Sequence, residues 1–275
     1  MAALIALDLD GTLLNGSGQV SDRAASAIAA AQAAGHRVVI ATGRPPDVAM
    51  PVTRQLAGHV THIVGGNGSI ISTFPQTADG EPELIHLIGF PIDDAVHAVT
   101  VLRADQPDFG FALATDAGFA HEPGFRELMP ASVPTDTVAD VLKLGGTQAF
   151  KLLAFHPERS VHDLIATLPA FLAAHPPPNG WATPLAVGHL GAEAVEIGPA
   201  SSDKSAGLRW LCDHLGVAAA DVIAIGDESN DITMLEWAGR GIAMGNADHR
   251  VKAIANEVIA ANTDDGVARF LESLI

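Results

Sequence analysis

The chain has 275 residues, 48% of them hydrophobic, which is enough apolar material for one large buried core or for a core plus a second unit. Asp and Glu number 32 against 15 Lys and Arg, and the resulting formal charge of −17 repels both nucleic acid and an anionic membrane surface. Cys212 is the only cysteine, so an intrachain disulfide and a thiolate-rich metal site are excluded and a reducing cytoplasm is the expected compartment.

No basic region precedes the apolar N-terminal residues, and acid follows by Asp8, so neither a secretory signal nor a membrane span is expected there. The first predicted strand is the apolar run starting at Leu4, which ends in Asp8 and Asp10, one residue apart, and then Gly11. Open α/β sheets bind ligands at the ends of central strands, and two neighbouring carboxylates repel unless a cation or proton holds them. Both are therefore candidates for chemistry. A calcium-binding loop beginning at Asp8 would need glycine at its sixth place and glutamate at its twelfth, but Leu13 and Gln19 stand there. A purely structural acidic turn remains the alternative for this fragment taken alone.

A helix follows from about Ser21 to Ala34, stopped by Gly35, and then the strand RVVIA runs into Thr42, Gly43 and Arg44. A hydroxyl, a small residue and a cation after a strand can hydrogen-bond an oxyanion, although Thr-Gly is also an ordinary turn. Another helix is expected after Pro45. Asn67, in GGNGS, reads first as a turn asparagine.

From about Glu83 to Gly198 the texture changes to strands such as FGFALAT and QAFKLLAF, with helices and the breaker-rich PPPNG at Pro176 to Gly180. This segment reads as an insertion whose edges lie near Pro82 and Pro199. Lys151 reads as an ordinary strand residue there, and His121, Arg126, His189 and Glu193 are polar candidates for ligand contact.

Lys204, in IGPASSDKSAGLRWL, opens a helix whose first amides favour an anion, a place where lysine is electrostatically wrong without such a partner. Gly198, Lys204 and Ser205 fall in register with the nucleotide-binding loop GxxxxGK followed by Ser or Thr. Asp203 takes the place of its second glycine, however, and a carboxylate facing phosphates argues against an NTPase.

The βαβ rhythm then returns with DVIAIGD, a helix through Met234 to Ala238, the GIAMG run and a last helix from about Asp265. The two ends of the chain thus read as halves of one parallel sheet. In GDESND, Asp227, Glu228 and Asp231 crowd against Asn230, and hard oxygen ligands clustered at a strand end suit Mg²⁺.

Taken in order, DLDGTLL, the Thr42 segment, Lys204 and GDESND resemble the four motifs of the haloacid dehalogenase-like phosphohydrolases. The large insertion between the second and third motifs, and the ending AMGNADHRVKAIANEVIAANTDDGVARFLE, resemble the Cof-type sugar-phosphatase branch of that family. The likeness covers roughly the first third and the last quarter of the chain and is loose in the insertion.

The resemblance implies an α/β fold in which residues 1–82 and 199–275 form a Rossmann-like parallel-sheet core and residues 83–198 an inserted α+β cap that sets substrate specificity. It implies a Mg²⁺-dependent phosphatase of small phosphomonoesters, sugar phosphates above all, working through an aspartyl phosphate. Asp8 would be the nucleophile and Asp10 the acid and base, with Thr42 and Lys204 completing the catalytic set. Leu9 and Gly43, through their amides, with Arg44 and Asn230 would bind the substrate phosphate. Asp8, the Asp10 carbonyl and Asp227 would hold the metal, with Asp231 in support.

The family commonly has glycine after the third-motif lysine, where Ser205 stands here, and the loop matching Asn67 borders the active site in relatives. There are two rivals: a phosphomutase, which shares this nucleophile and a similar cap, and a catalytically idle phosphometabolite sensor, which should have lost Asp8 or Asp10. Asp10 also argues against halide displacement, where the leaving group needs no proton.

Overall fold

The computed structural model describes residues 2–128, 136–190 and 194–275, apart from a few side chains within them. Among the cap candidates, the side chains of Arg126 and His189, and Glu193 as a whole, lie outside the described residues.

Short apolar runs punctuated by capped, alanine-rich segments set the alternation of strand and helix. β1 (Leu4–Leu7) is buried at all four positions and leads into a wide helical turn, Leu9–Leu13, in which Gly11 has φ 79°. α1 (Asp22–Ala33) starts where the Ser21 hydroxyl accepts from the Ala24 amide, and it buries Ala24, Ala27, Ile28 and Ala31. Gly35, at φ 95°, then releases the chain into β2 (Arg37–Ala41). α2 (Pro46–Thr53), β3 (Val60–Gly65), β4 (Ile70–Thr73) and β5 (Leu84–Leu87) complete the N-terminal part.

The middle of the chain holds β6 (Phe90–Pro91), α3 (Ile92–Asp105), β7 (Gly110–Thr115), β8 (Gly118–His121), β9 (Asp136–Thr137), β10 (Gln148–Phe155), α4 (Val161–Ala174), β11 (Leu185–Leu190) and β12 (Ala194–Pro199). The C-terminal part runs through α5 (Lys204–Leu215), β13 (Val222–Gly226), α6 (Ile232–Trp237), β14 (Arg240–Ala243), α7 (His249–Ile254), β15 (Glu257–Val258) and α8 (Gly266–Leu274).

Two compact units result, one of residues 1–87 and 202–275, the other of residues 88–201. The first contains a sheet in the order β15-β14-β13-β1-β2-β3-β4-β5, parallel from β15 to β3 and antiparallel at β4 and β5. β1 is buried at every position and β2, β13 and β14 at all but one, as expected for a parallel sheet covered by helices. The second unit has its own sheet, β11-β12-β10-β7-β8-β9 with β6 beside β10, antiparallel except at β8 and β9. A separate core that includes Phe90, Phe111, Leu113, Leu152 and Ile197 packs beneath it.

The edges of the units differ from those read from prolines. A boundary at Pro82 assigns Leu84–Leu87 to the insertion, but β5 pairs with β4 through Ile70 with Leu87 and Ile71 with His86, which carries the first unit to Leu87. Pro199 likewise ends a strand, pairing with Leu185, and the second unit extends to Ser201.

His121 is internal to the second unit: it is fully buried, with Nδ1 2.9 Å from the Glu122 carbonyl and Nε2 3.3 Å from the Thr137 hydroxyl. These contacts make it a core histidine. Lys151 is buried as well, its Nζ 2.6 Å from the Glu196 carboxylate on the adjacent strand. Among the described residues no helix is long and apolar enough to cross a membrane.

Ser21 joins two parts of the first unit, because it caps α1 and its hydroxyl donates to Asp265 at 2.7 Å. Ser21→Ala should cost about 1 kcal/mol and lower the melting temperature by ~2–4 °C. Calorimetry that found the parental melting temperature would show the cap to be idle.

Candidate active site

The register of the parallel sheet assembles the site. Leu7 pairs with Ile40 on one side and with Ile225 on the other, so β1, β2 and β13 end at the same level. Just past those ends stand Asp8, Thr42 and Asp227. The chain leaves β1 toward β2 and β3 in one direction, and β13 toward β14 and β15 in the other, which makes the β1–β13 boundary the switch point where open sheets bind ligands.

Lys204 lies at the first position of α5, where Asp203 caps the helix by accepting from the Ala206 amide at 2.8 Å. The Asp203 carboxylate that spoils the nucleotide-loop pattern is thus spent on the helix start, and it also accepts from the Ser205 hydroxyl. From α5 the Lys204 ammonium reaches Asp8 Oδ1 at 2.6 Å and Asp231 Oδ1 at 2.5 Å, with all three side chains buried. The other Asp231 oxygen accepts from the amides of Asp227 and Glu228 at 2.8 and 3.0 Å. Both Asp231 oxygens are therefore engaged, which suits a supporting carboxylate.

Asp8, Asp227 and Asp231 each present a carboxylate oxygen within 4.8 Å of the other two, all buried. Burial pushes the Asp8 carboxyl well above its ordinary range, against the pull of Lys204 and with the help of Asp231 and Asp227. Burial likewise lifts Asp227 to about 6, the Thr12 hydrogen bond opposing and the charges of Asp231 and Glu228 adding. For Lys204 burial alone would lower the ammonium, but Asp8 and Asp231 outweigh it and hold it above its usual value. Three buried carboxylates thus face one buried ammonium, and the two negative charges in excess match one divalent cation with oxygen ligands. The donor set fits such an ion, which Asp8 and Asp227 would hold.

The approach is close enough to require glycine. A Cβ on Gly11 would overlap Asp227 Oδ2, and one on Gly226 would overlap the Asp231 carboxyl. Thr12 and Asn246 were not singled out from sequence, yet both hold Asp227. The Thr12 hydroxyl donates to its Oδ1 at 2.8 Å, and Asn246 Nδ2 donates to the Gly11 carbonyl at 2.7 Å and to Asp227 Oδ2 at 3.3 Å. The available signal was positional: Thr12 follows Asp10 after Gly11, and Asn246 follows β14, the strand next to β13.

Asp10 lies outside the buried cluster. Its carboxylate is gripped in two places by Arg44, Nε to Oδ2 at 2.7 Å and Nη2 to Oδ1 at 2.5 Å, and its side chain is 57% exposed. Arg44, expected to bind substrate, is therefore occupied by Asp10. Thr42 is buried and its hydroxyl oxygen accepts from the Arg44 amide at 3.1 Å, which leaves the O–H to donate elsewhere.

Leu9 is buried at the start of the wide turn, whose shape is set by bonds from Leu13 N to the Asp8 carbonyl and from Leu14 N to the Leu9 carbonyl. Asn230, exposed, donates from Nδ2 to Asn67 Oδ1 at 3.0 Å, and a Cβ on Gly43 would sit 3.1 Å from that same oxygen. The turn reading of Asn67 is right for its backbone, at φ 56°, and incomplete for its side chain.

Because Asp227 has about 6 in the folded chain against an ordinary 3.8, the folded state binds its proton more tightly and loses stability as pH rises across that interval. Asp227→Asn keeps an acceptor for Thr12 and removes the loss. In chelator the variant should melt above the parent at about pH 7.5 and lose most of that advantage at about pH 4.5. An advantage of equal size at both values, read by calorimetry, would mean that the carboxylate carries no burial strain.

Residues 5–271 match the family described as haloacid dehalogenase-like hydrolase. The chain is 32% identical over 271 residues to the 5-amino-6-(5-phospho-D-ribitylamino)uracil phosphatase YitU of Bacillus subtilis, covering 98% of this chain and 96% of that one. It is 31% identical to the pyridoxal phosphate phosphatase YbhA of Escherichia coli, with 98% and 97% covered. A crystal structure of a haloacid dehalogenase-like hydrolase from Bacteroides thetaiotaomicron superposes with a TM-score of 0.82 over the whole of both chains at 25% identity. A match that spans nearly every residue, with aspartates, threonine and lysine gathered at the switch point of the sheet, makes this chain a member of the haloacid dehalogenase-like hydrolases.

Proposed function

We propose that the protein hydrolyses phosphomonoesters of small organic alcohols, sugar phosphates and related polyols foremost, through an aspartyl phosphate on Asp8. The observation that carries this reading is the buried Asp8 carboxylate, fixed at one oxygen by Lys204 and set beside Asp227 with negative charge in excess. The two relatives support it, since their names specify different phosphate esters: the bond broken is common to both and the alcohol is not.

In this scheme Asp8 attacks phosphorus, the bond from phosphorus to the alcohol oxygen breaks, and Asp10 delivers its proton to that oxygen. Asp10 then takes a proton from water as the water attacks the same phosphorus, which returns the Asp8 carboxylate and releases inorganic phosphate. Lys204, the Thr42 hydroxyl, Asn230 and the amides of Leu9 and Gly43 stabilise the oxygens of the transferring group. Arg44 decides where the Asp10 carboxylate points before substrate arrives. Bound Mg²⁺ supplies positive charge that lets an anionic nucleophile approach a phosphate dianion. We assign the choice of alcohol to the second unit and the working compartment to a reducing cytoplasm, in which the buried Cys212 thiol stays free.

A screen of the purified protein against phosphorylated sugars, nucleotides and cofactors should release phosphate in step with alcohol, stop with chelator and resume with Mg²⁺. Full turnover in metal-free buffer would remove the cation from the scheme, and an isomeric phosphate as product would make the protein a mutase. Asp8→Asn should cost at least about 10³-fold in kcat with the fold intact, the scale of losing a reacting group. Near-parental turnover would exclude Asp8 as nucleophile. Lys204→Ala should be comparably impaired.

A further inference from the structure

Beyond the four motif segments, the turn Gly66–Gly68 touches three of them. The Asn67 amide donates to the Thr42 carbonyl at 3.1 Å and the Gly66 amide to the Arg44 carbonyl at 3.0 Å, which ties the turn to the segment after β2. On its other side a Cβ on Gly68 would overlap the Asp203 carbonyl and lie 3.2 Å from the Lys204 amide, so the turn abuts the start of α5. Ser202, just ahead of that helix, donates to the Asn67 carbonyl at 3.4 Å, and its hydroxyl shares a 2.6 Å bond with Ser69. The third contact is the side-chain bond to Asn230.

The backbone of this turn does not explain an asparagine. Asn67 has φ 56° and ψ 41°, in the left-handed region, between Gly66 at φ 59° and Gly68 at φ 93°. Asparagine tolerates that region better than most residues, but glycine meets it without strain. What asparagine adds is a side-chain carbonyl at the point where Gly43 and Asn230 converge, and Gly43, lacking a Cβ, leaves that oxygen its place.

We infer that Asn67 is a positioning residue for phosphoryl transfer: its Oδ1 holds the Asn230 amide beside Gly43, fixing the direction in which Asn230 meets the transferring phosphoryl group. This rests on the phosphatase reading given above. Of the two N–H groups on Asn230 Nδ2, one is taken by Asn67, and the remaining one is the donor available to substrate. Without Asn67 that amide rotates freely, and a donor that must be aligned at the moment of reaction stabilises the transition state less. The loss should therefore fall on kcat more than on KM.

The test is a double-mutant cycle in the full chain, with para-nitrophenyl phosphate and Mg²⁺, using Asn67→Gly, Asn230→Ala and the pair. Glycine preserves the left-handed backbone, so Asn67→Gly should keep the parental melting temperature while kcat falls about 10- to 100-fold and KM changes by less than about threefold. If Asn67 acts through Asn230, the double variant should be no slower than Asn230→Ala alone. Losses that multiply, or parental kcat in Asn67→Gly, would overturn the inference and leave the phosphatase reading untouched. A parent with no turnover, or an Asp8→Asn variant as fast as the parent, would instead bring down that reading and this inference with it.

Discussion

The site depends on one buried ammonium. Lys204 leaves the first turn of α5 and ends between a carboxylate that follows β1 and another that follows β13, so a single side chain joins three separate segments. Two features make its placement costly: burial disfavours the charge, and the helix start is the positive end of the macrodipole. The two carboxylates offset the first, and the Asp203 cap satisfies the Ala206 amide. Removing the lysine would leave its partners buried and uncompensated, the most destabilising way to break an ion pair. The arrangement also depends on sheet register, since a slip of one residue in β1 would turn the carboxylate away from the Lys204 side.

Around that ammonium the backbone comes unusually close to acidic side chains. Gly11 against the Asp227 carboxylate and Gly226 against that of Asp231 leave a methyl group no room, and Gly68 leaves none against the Asp203 backbone carbonyl. Each glycine lies at the end of a strand or in the turn after it, so the sheet fixes the positions and missing side chains let them converge. Asp231 then adds order of its own: with Glu228 it forms a reciprocal cap, and it takes up the Asp227 amide. Geometry at the switch point is thus held by local bonds within GDESND and by long-range ones to Lys204.

Much of this was legible in the sequence, for identifiable reasons. β1, β2 and β13 are buried on both faces and read as continuous apolar runs, while Asp8, Thr42 and Asp227 stand out as polar residues at their ends. Lys204 stood out because a first-turn lysine needs a partner. The hidden features are contacts between residues far apart in the chain. Arg44 and Asp10 are 34 positions apart and Asn67 and Asn230 are 163 apart, so nothing local in either segment announces the pairing. The unit edges lie a few residues from the prolines for the same reason: the turn-rich stretch before Leu84 has the composition of a linker, whereas the β4–β5 pairing that carries the unit to Leu87 is tertiary. Asp203 is a different case, because an N-cap is local chemistry: an aspartate directly ahead of a helix accepts from an amide of its first turn.

The charges of the site bear on what it can receive. Its two cationic side chains are already committed, Lys204 to Asp8 and Asp231, Arg44 to Asp10, and four carboxylates stand against them once Asp227 is counted. The chain as a whole carries −17, so the long-range field gives a phosphate dianion no encouragement. Neither the local nor the global balance attracts the proposed substrate, and Asp227, lifted to about 6, no longer relieves the cluster with a proton once the pH rises above that value. In the proposed scheme a divalent cation would resolve both difficulties at once: it would match the excess carboxylate charge and give the substrate phosphate a positive partner. The cation would then have to be in place before the phosphate ester as well as before the attack by Asp8, and the side-chain bonds from Thr12 and Asn246 would keep Asp227 aligned to hold it.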